Sequence, residues 1–260
     1  MNLKLSIITV NYNNAEGLKK TVDSVTAQTW KDFEYIIIDG SSTDGSTEVI
    51  KANKNIIDRW VSEPDEGVYQ AMNKGISMAN GEYLLFLNSG DHFYKDDVLE
   101  KFHKELKEQD LIYFNLNVVE GKKDFIKEYP EKLSFAYFFK DTLPHPSTFI
   151  KKEAFTKTKP YNEDMKIAAD WKFFIDAICK YQLTYKKIDA TLSTFYIGGM
   201  SSDAENRAVK FHEKQNVLNT EYPAFVYDLE EVLENKEIVN NLRQSRIIRT
   251  LIKLGLLNKF

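Results

Sequence analysis

An α/β fold, built on a Rossmann-like, mostly parallel sheet flanked by helices, is the class this sequence predicts, and three observations predict it. Short apolar runs alternate with segments of helical periodicity through the first hundred residues. Each of those runs ends in a polar loop, as ligand-binding strand ends do in open α/β sheets. A content of 43% hydrophobic and 13% aromatic residues over 260 positions supplies a substantial core.

The elements follow in order. Residues 5–10, LSIITV, and 35–39, YIIID, are rich in β-branched side chains and suit strands buried on both faces. Between them Leu18, Val22 and Val25 recur at spacings of four and three, which predicts an amphipathic helix. RWVSE at 59–63 and EYLLFL at 82–87 read as two further strands of the same kind, buried on both faces, separated by a helix on which Val68, Met72 and Ile76 recur every four residues. This β-α-β-α-β order implies parallel strands joined by right-handed crossovers. LIYFNLNVV at 111–119 and TLSTFY at 191–196 are later strand patterns. Trp171, Phe174, Ile175 and Ile178 form one face of a helix in MKIAADWKFFIDAI, with Cys179 expected in the core beside them. After residue 202 the pattern turns helical, first in DAENRAVKFHEKQNVLNTEY and then from about Tyr227 to Leu257. The expected division is a catalytic domain at 1–202 and a helical extension at 203–260.

Composition excludes several classes. A net charge of −4 argues against a nucleic-acid partner. A single cysteine forbids both an intramolecular disulfide and a cysteine metal cluster. No apolar run approaches the length of a bilayer span, and the first residues carry no cleavage-site pattern, so a cytoplasmic protein is expected.

The loops after the first four strands read NYNN, DGSSTDGST, PDEGVYQAMNKG and NSGD. None holds GxGxxG or GxxxxGK[ST], which removes the commonest dinucleotide and P-loop readings. DGSSTDGST lacks the Asp-x-Asp spacing and final glutamate of a calcium loop, and alone it reads as a turn. In their order and spacing, however, SIITVNYNN, YIIIDGSSTDGS, SEPDEGVYQAMNKGI and ANGEYLLFLNSGD together resemble the family 2 glycosyltransferases of GT-A fold. The resemblance covers about residues 4–200.

That resemblance implies a nucleotide-sugar donor, with UDP the favoured nucleotide, bound across the strand ends with a divalent metal, Mn2+ or Mg2+, on its diphosphate. Carried over by position, the donor site comprises Thr9, Asn11, Asn13, Asp39, Asp44, Asp65 and Lys74, continued by Asn88 and Ser89. A carboxylate at a strand end, as at Asp39, can accept from a base imide or a ribose hydroxyl. The strand end at 88–91 aligns with the family's DxD-type metal motif but departs from it twice. Asn88 is neutral and Gly90 has no side chain, leaving Asp91 as the one charged ligand; Mg2+ commonly binds through one or two carboxylates plus substrate phosphates. His145, between Pro144 and Pro146, is a candidate for acceptor or phosphate contact because imidazole can donate at neutral pH. Asp170 in ADW corresponds to the family's general base at the start of a helix, although Ala169 replaces the acid that usually precedes it. On residue type alone, Asp170 reads as an N-cap or first-turn acid. The paired glycines of YIGGMSS, 196–202, suggest a loop that closes over donor.

The final stretch, NLRQSRIIRTLIKLGLL, segregates its residues at 100° per residue. Ile247, Ile248, Leu251 and Ile252 share one arc, Arg243, Arg246, Arg249 and Lys253 the other, and no acid follows Glu237. Two readings stay open: contact with an anionic membrane surface, and packing on the catalytic domain or a second subunit of a homo-oligomer. The expected function is inverting transfer of a sugar to a saccharide or lipid-linked acceptor in cell-surface polysaccharide assembly, at the inner membrane face if the helix binds lipid. Against it stand a sugar nucleotidyltransferase, which would need a Gly-rich, Arg-containing loop where this chain has NYNN, and a nucleotide-sugar-binding or scaffolding protein without catalysis.

Overall fold

The computed structural model describes residues 3–198 and 204–258. Its first four strands are β1 (Leu5–Asn11), β2 (Phe33–Asp39), β3 (Arg59–Ser62) and β4 (Tyr83–Phe86). Helices α1 (Ala15–Ala27), α2 (Ser46–Ala52) and α3 (Val68–Met78) connect them. The strands lie parallel in the order β3-β2-β1-β4, with Ile7 opposite both Tyr35 and Leu85. There follow β5 (His92–Phe93), α4 (Val98–Phe102), β6 (Leu111–Glu120), β7 (Lys123–Lys127), α5 (Phe135–Lys140) and β8 (Thr148–Lys151). The series ends with α6 (Lys152–Thr158), α7 (Ala169–Ile175) and β9 (Tyr185–Tyr196). One sheet holds them all in the order β3-β2-β1-β4-β8-β6-β9-β5, with β7 folded back on β6. The N-terminal half is parallel; β8 is antiparallel to both β4 and β6, while β6 and β9 again run parallel.

Alternation along the strands assigns the two faces of the sheet. Leu5 and Ile7 share one apolar cluster with Leu18, Val22 and Val25 of α1 and Ile50 of α2. Ile8 points the other way, toward α3, where a Cβ on Gly75 would lie 2.5 Å from Ile8 Cγ2. Glycine therefore lets α3 approach the sheet closely. At the opposite strand end a Cβ on Gly81 would meet the Ser6 backbone nitrogen at 2.4 Å. β3 departs from the expectation of a strand buried on both faces: it is the sheet edge, and Arg59 and Trp60 are exposed.

The chain divides into two compact units, Met1–Lys214 and Gln215–Phe260. Helices α8 (Ala204–Glu221), α9 (Pro223–Gln244) and α10 (Arg246–Lys253) form the C-terminal stretch. The single long helix expected from Tyr227 to Leu257 is interrupted at Ser245, whose ψ of 128° ends α9 and starts α10. Serine favours such a boundary because its side chain competes with helical hydrogen bonding. Cys179 also differs from expectation. Residues Asp176–Lys180 continue α7 as a wider π-helical turn, which shifts the helical register, so Ile178 and Cys179 are half-buried rather than core.

Candidate functional site

Asp39, at the end of β2, organises the first two loops. Its Oδ1 accepts from Asn11 Nδ2 at 2.7 Å and Ser42 Oγ at 2.6 Å, and its Oδ2 from Ser62 Oγ at 2.6 Å and Ser42 N at 3.0 Å. Burial works against the charged form, but the bonds from Ser42, Ser62 and Asn11 together outweigh it and hold the carboxyl below its usual range. Asn11 Nδ2 also reaches Ser42 Oγ at 3.2 Å, while Asn11 Oδ1 is buried with no donor. An orphaned buried acceptor is costly, so a ligand N–H or O–H would relieve it. Asn13, exposed and at φ 46°, accepts from Thr43 N at 2.9 Å. Asp44 joins the starts of two helices, accepting from Ala15 N at 2.7 Å and from Ser46 Oγ at 2.6 Å. Asp65 lies over Gly40, since a Cβ there would fall 2.7 Å from its Oδ2, and burial lifts its carboxyl above the usual range.

The turn after β4 answers the departures from the metal motif. Gly90 has φ 105°, a left-handed conformation that a side chain would strain, so its glycine serves the turn. Thr21 of α1 holds that turn from beneath: its hydroxyl lies 2.7 Å from the Asp91 carbonyl oxygen and accepts Gly90 N at 3.0 Å. Asn14, the N-cap of α1, accepts from Gly17 N and donates to the Ser89 carbonyl at 3.2 Å. The Asp91 carboxyl is buried without a donor among the described residues, and burial alone pushes it up to about 8. Asn88 Oδ1 is likewise buried and unpartnered. Thus two hard oxygen donors stand in one turn lacking protein partners. No group of three or more His, Cys, Asp or Glu gathers among the described residues.

Asp170 sits in the first turn of α7 and not at its N-cap, which is Ala168. Its Oδ1 accepts from the Tyr69 hydroxyl at 3.0 Å, and its Oδ2 has no donor among the described residues. Burial, reinforced by the Asp170 charge, holds the Tyr69 phenol well above 10, so it remains a proton donor to that carboxylate. An aromatic cluster connects the end of β4 to this point. Phe86 stacks on His145 at 4.7 Å, Tyr161 donates or accepts at His145 Nε2 across 2.8 Å, and Tyr161 lies 5.7 Å from Tyr69. Asp170 therefore stands on the side of the carboxyl ends of the parallel strands.

Three expected contacts find different surroundings. Thr9 is fully buried, its hydroxyl bonded to the Leu87 carbonyl at 2.7 Å, so it fixes the strand end. His145 is sealed in the aromatic cluster, and burial lowers its imidazole to about 4, leaving it neutral. Lys74 forms an ion pair with Glu63. Residues Gly199 to Ser202 of the expected closing loop lie outside the described residues. Thr21, Ser42, Ser62 and Tyr69 were not anticipated. Ser42, Ser62 and Tyr69 stand within the quoted segments, where nothing in residue type singles them out, and a lone Thr on a helix gives no signal in a single sequence.

Residues 6–168 match the family model described as glycosyl transferase family 2. An uncharacterized glycosyltransferase of Mycobacterium tuberculosis, Rv1514c, is 33% identical over 212 residues, 79% of each chain. A PGL/p-HBAD biosynthesis glycosyltransferase of Mycobacterium bovis is 31% identical over 204 residues, 76% of this chain and 78% of that protein. S. aureus TarS 1–349 in complex with UDP-GlcNAc has a similar fold, with a TM-score of 0.64 at 18% identity over 83% of this chain and 67% of that one. The ligand-free TarS 1–349 structure is matched over 60% of its length. Mannosyltransferase PcManGT of Pyrobaculum calidifontis, in complex with GDP-Man and Mn2+, gives 0.59 at 15% identity over 79% and 61%. With the family model matching more than half of the chain and relatives near one-third identity, the chain belongs to glycosyl transferase family 2.

Proposed function

We propose that this chain is an inverting, metal-assisted transferase that moves a sugar from a nucleoside-diphosphate donor, UDP-linked by preference, to an acceptor hydroxyl. The observation that carries the reading is Asp170, with one carboxylate oxygen fixed by Tyr69 and the other without a donor among the described residues. In that role Oδ2 takes the hydroxyl proton as the acceptor oxygen attacks the anomeric carbon, the bond to diphosphate breaks, and configuration inverts. Asp39, Asn11 and Ser42 would hold the nucleoside, the orphaned Asn11 Oδ1 taking a donor from base or ribose. The residues at 88–91 fit a divalent ion: Asp91 and Asn88 would hold it, with donor phosphates completing a shell the protein alone leaves short. Such an ion, when bound, would offset charge on the departing diphosphate.

The relative named for PGL/p-HBAD biosynthesis supports a saccharide or lipid-linked acceptor, and the UDP-GlcNAc and GDP-Man complexes support a nucleotide-sugar donor. A thermal-shift panel of UDP, GDP and dTDP, each with and without Mn2+, tests the donor. A ligand at 100 times its Kd adds about 2.7 kcal/mol. UDP with Mn2+ is expected to give the largest shift; no shift from any of the six conditions contradicts the reading.

An anionic membrane surface is the second proposed partner, and the proposed location is the cytoplasmic face of the membrane. Among the described residues no helix is long and apolar enough to cross a bilayer. In α10 Ile247 is 72% exposed, Ile248, Leu251 and Ile252 are only half-buried, and Arg249 and Lys253 are exposed. Exposed apolar and basic arcs on one helix suit an anionic interface. Deleting residues 240–260 should abolish sedimentation with phosphatidylserine vesicles at low salt. Full-length protein that ignores those vesicles but dimerises through the same segment would favour the second subunit instead.

A further inference from the structure

The helix that bears Asp170 begins without a cap of its own. Ala168 occupies the N-cap position of α7 and offers no side-chain acceptor. Its role is filled from 45 residues away in sequence. The Glu213 carboxylate of α8 accepts Lys166 N at 2.6 Å through Oε1, and Ile167 N at 3.1 Å and Ala168 N at 2.9 Å through Oε2. Three consecutive backbone donors, all immediately before the first turn of α7, thus converge on one carboxylate. The next residue along α8 grips the same turn differently: Lys214 Nζ lies 4.6 Å from the centre of the Trp171 ring. Trp171 follows Asp170 directly and is fixed on its other edge, where Nε1 donates to the Phe138 carbonyl at 2.8 Å.

We infer that Glu213, assisted by Lys214, is a positioning residue for Asp170: α8 fixes the backbone that sets where the free Oδ2 of Asp170 points. The inference rests on the reading of Asp170 as the base. A carboxylate is suited to the task on two counts. It satisfies several orphan N–H groups at once, and its charge complements the positive end of the helix it caps. Tyr69 fixes the Asp170 side chain from one side, so a displacement of residues 166–169 would turn the carboxylate about that single bond. Misplacement by about 1 Å at a reacting group can cost on the order of 100-fold in rate.

The test compares Glu213→Ala, Glu213→Gln, Lys214→Met and Asp170→Asn with wild type. Release of UDP from UDP-GlcNAc is followed with water as the acceptor, and UDP affinity is measured by calorimetry in Mn2+. Glu213→Ala should lower kcat about 10- to 100-fold with UDP affinity and donor KM unchanged. Glu213→Gln keeps one carbonyl oxygen for the Ile167 and Ala168 donors and should recover part of that rate; Lys214→Met should lose less than Glu213→Ala. Amide exchange at 166–168 should accelerate in Glu213→Ala while the strands stay protected, a readout that also guards against a variant that merely unfolds. A folded Glu213→Ala with wild-type kcat overturns the inference, as does equal loss in kcat and UDP affinity. If Asp170→Asn itself turns over at the wild-type rate, the base has been misassigned and the positioning role falls with it. An inactive Asp170→Asn beside a fully active Glu213→Ala overturns the positioning role alone.

Discussion

His145 provides a proton-linked measure of how tightly the cluster beneath the site is sealed. Its folded imidazole is lowered to about 4 because burial disfavours the cation, only partly offset by the Asp170 charge. An exposed histidine titrates near 6.5, so between these values the unfolded chain binds more protons than the folded one and stability falls as pH falls. The gap of about 2.5 units, at about 1.36 kcal/mol each, amounts to about 3.4 kcal/mol below pH 4 and to about 2.4 kcal/mol between pH 7 and 4.5. Asp91 titrates with the opposite sign, its folded form raised to about 8, and a single pH profile would mix the two. Comparison with His145→Phe separates them. That variant keeps an aromatic ring among Phe86, Tyr161 and Phe174 but orphans the Tyr161 hydroxyl, so at pH 7 it should be about 1–3 kcal/mol less stable than wild type. On moving to pH 4.5 the wild-type advantage should shrink by about 2.4 kcal/mol, read as the difference between urea unfolding free energies. An advantage that stays constant across the two pH values would refute the sealed, neutral imidazole.

Other expectations follow from single contacts. Tyr69→Phe removes the Tyr69 hydroxyl donor to Asp170 Oδ1 and should lower kcat about tenfold with nucleotide affinity intact, measured by steady-state kinetics and calorimetry. Gly81→Ala drives a methyl against the Ser6 nitrogen at 2.4 Å and the Leu5 carbonyl carbon at 2.6 Å; calorimetric melting should show a loss of about 1–3 kcal/mol. Asp91→Asn should weaken Mn2+-dependent UDP binding and donor turnover together, with partial recovery at high Mn2+, because an amide oxygen is a feebler ligand. Calorimetry with UDP alone should then show little difference between variant and wild type.

Periodic segments made the parallel half of the sheet legible: β1, β2 and β4 are continuous apolar runs, and α1 and α3 carry their apolar residues at helical spacing. The exposed edge at β3 was not, because RWVS is apolar enough to read as buried and neighbour order is set by the whole sheet. Asp39, Asp91 and Asp170 stand out because each lies at a strand end or helix start inside a segment that resembles the family, although on residue type alone such acids also serve turns and first helical turns. The supporting contacts were hidden by distance along the chain. Thr21 lies 70 residues from Asp91, Tyr69 lies 101 from Asp170, and Glu213 lies 45 from Ala168. Thr9 and His145 look available in the sequence because each is a polar residue beside a loop, and packing turns their side-chain hydrogen bonds inward.

The central claim is that Asp170 takes the acceptor proton while other residues hold the donor, and one comparison tests it most directly. Asp170→Asn nearly preserves volume and still offers Oδ1 to the Tyr69 hydroxyl, but its amide cannot accept a proton as a carboxylate does. UDP affinity in Mn2+ and UDP release from UDP-GlcNAc are measured side by side for this variant and wild type. The account predicts wild-type affinity with turnover reduced at least about 100-fold. Undiminished turnover by the folded variant would contradict it.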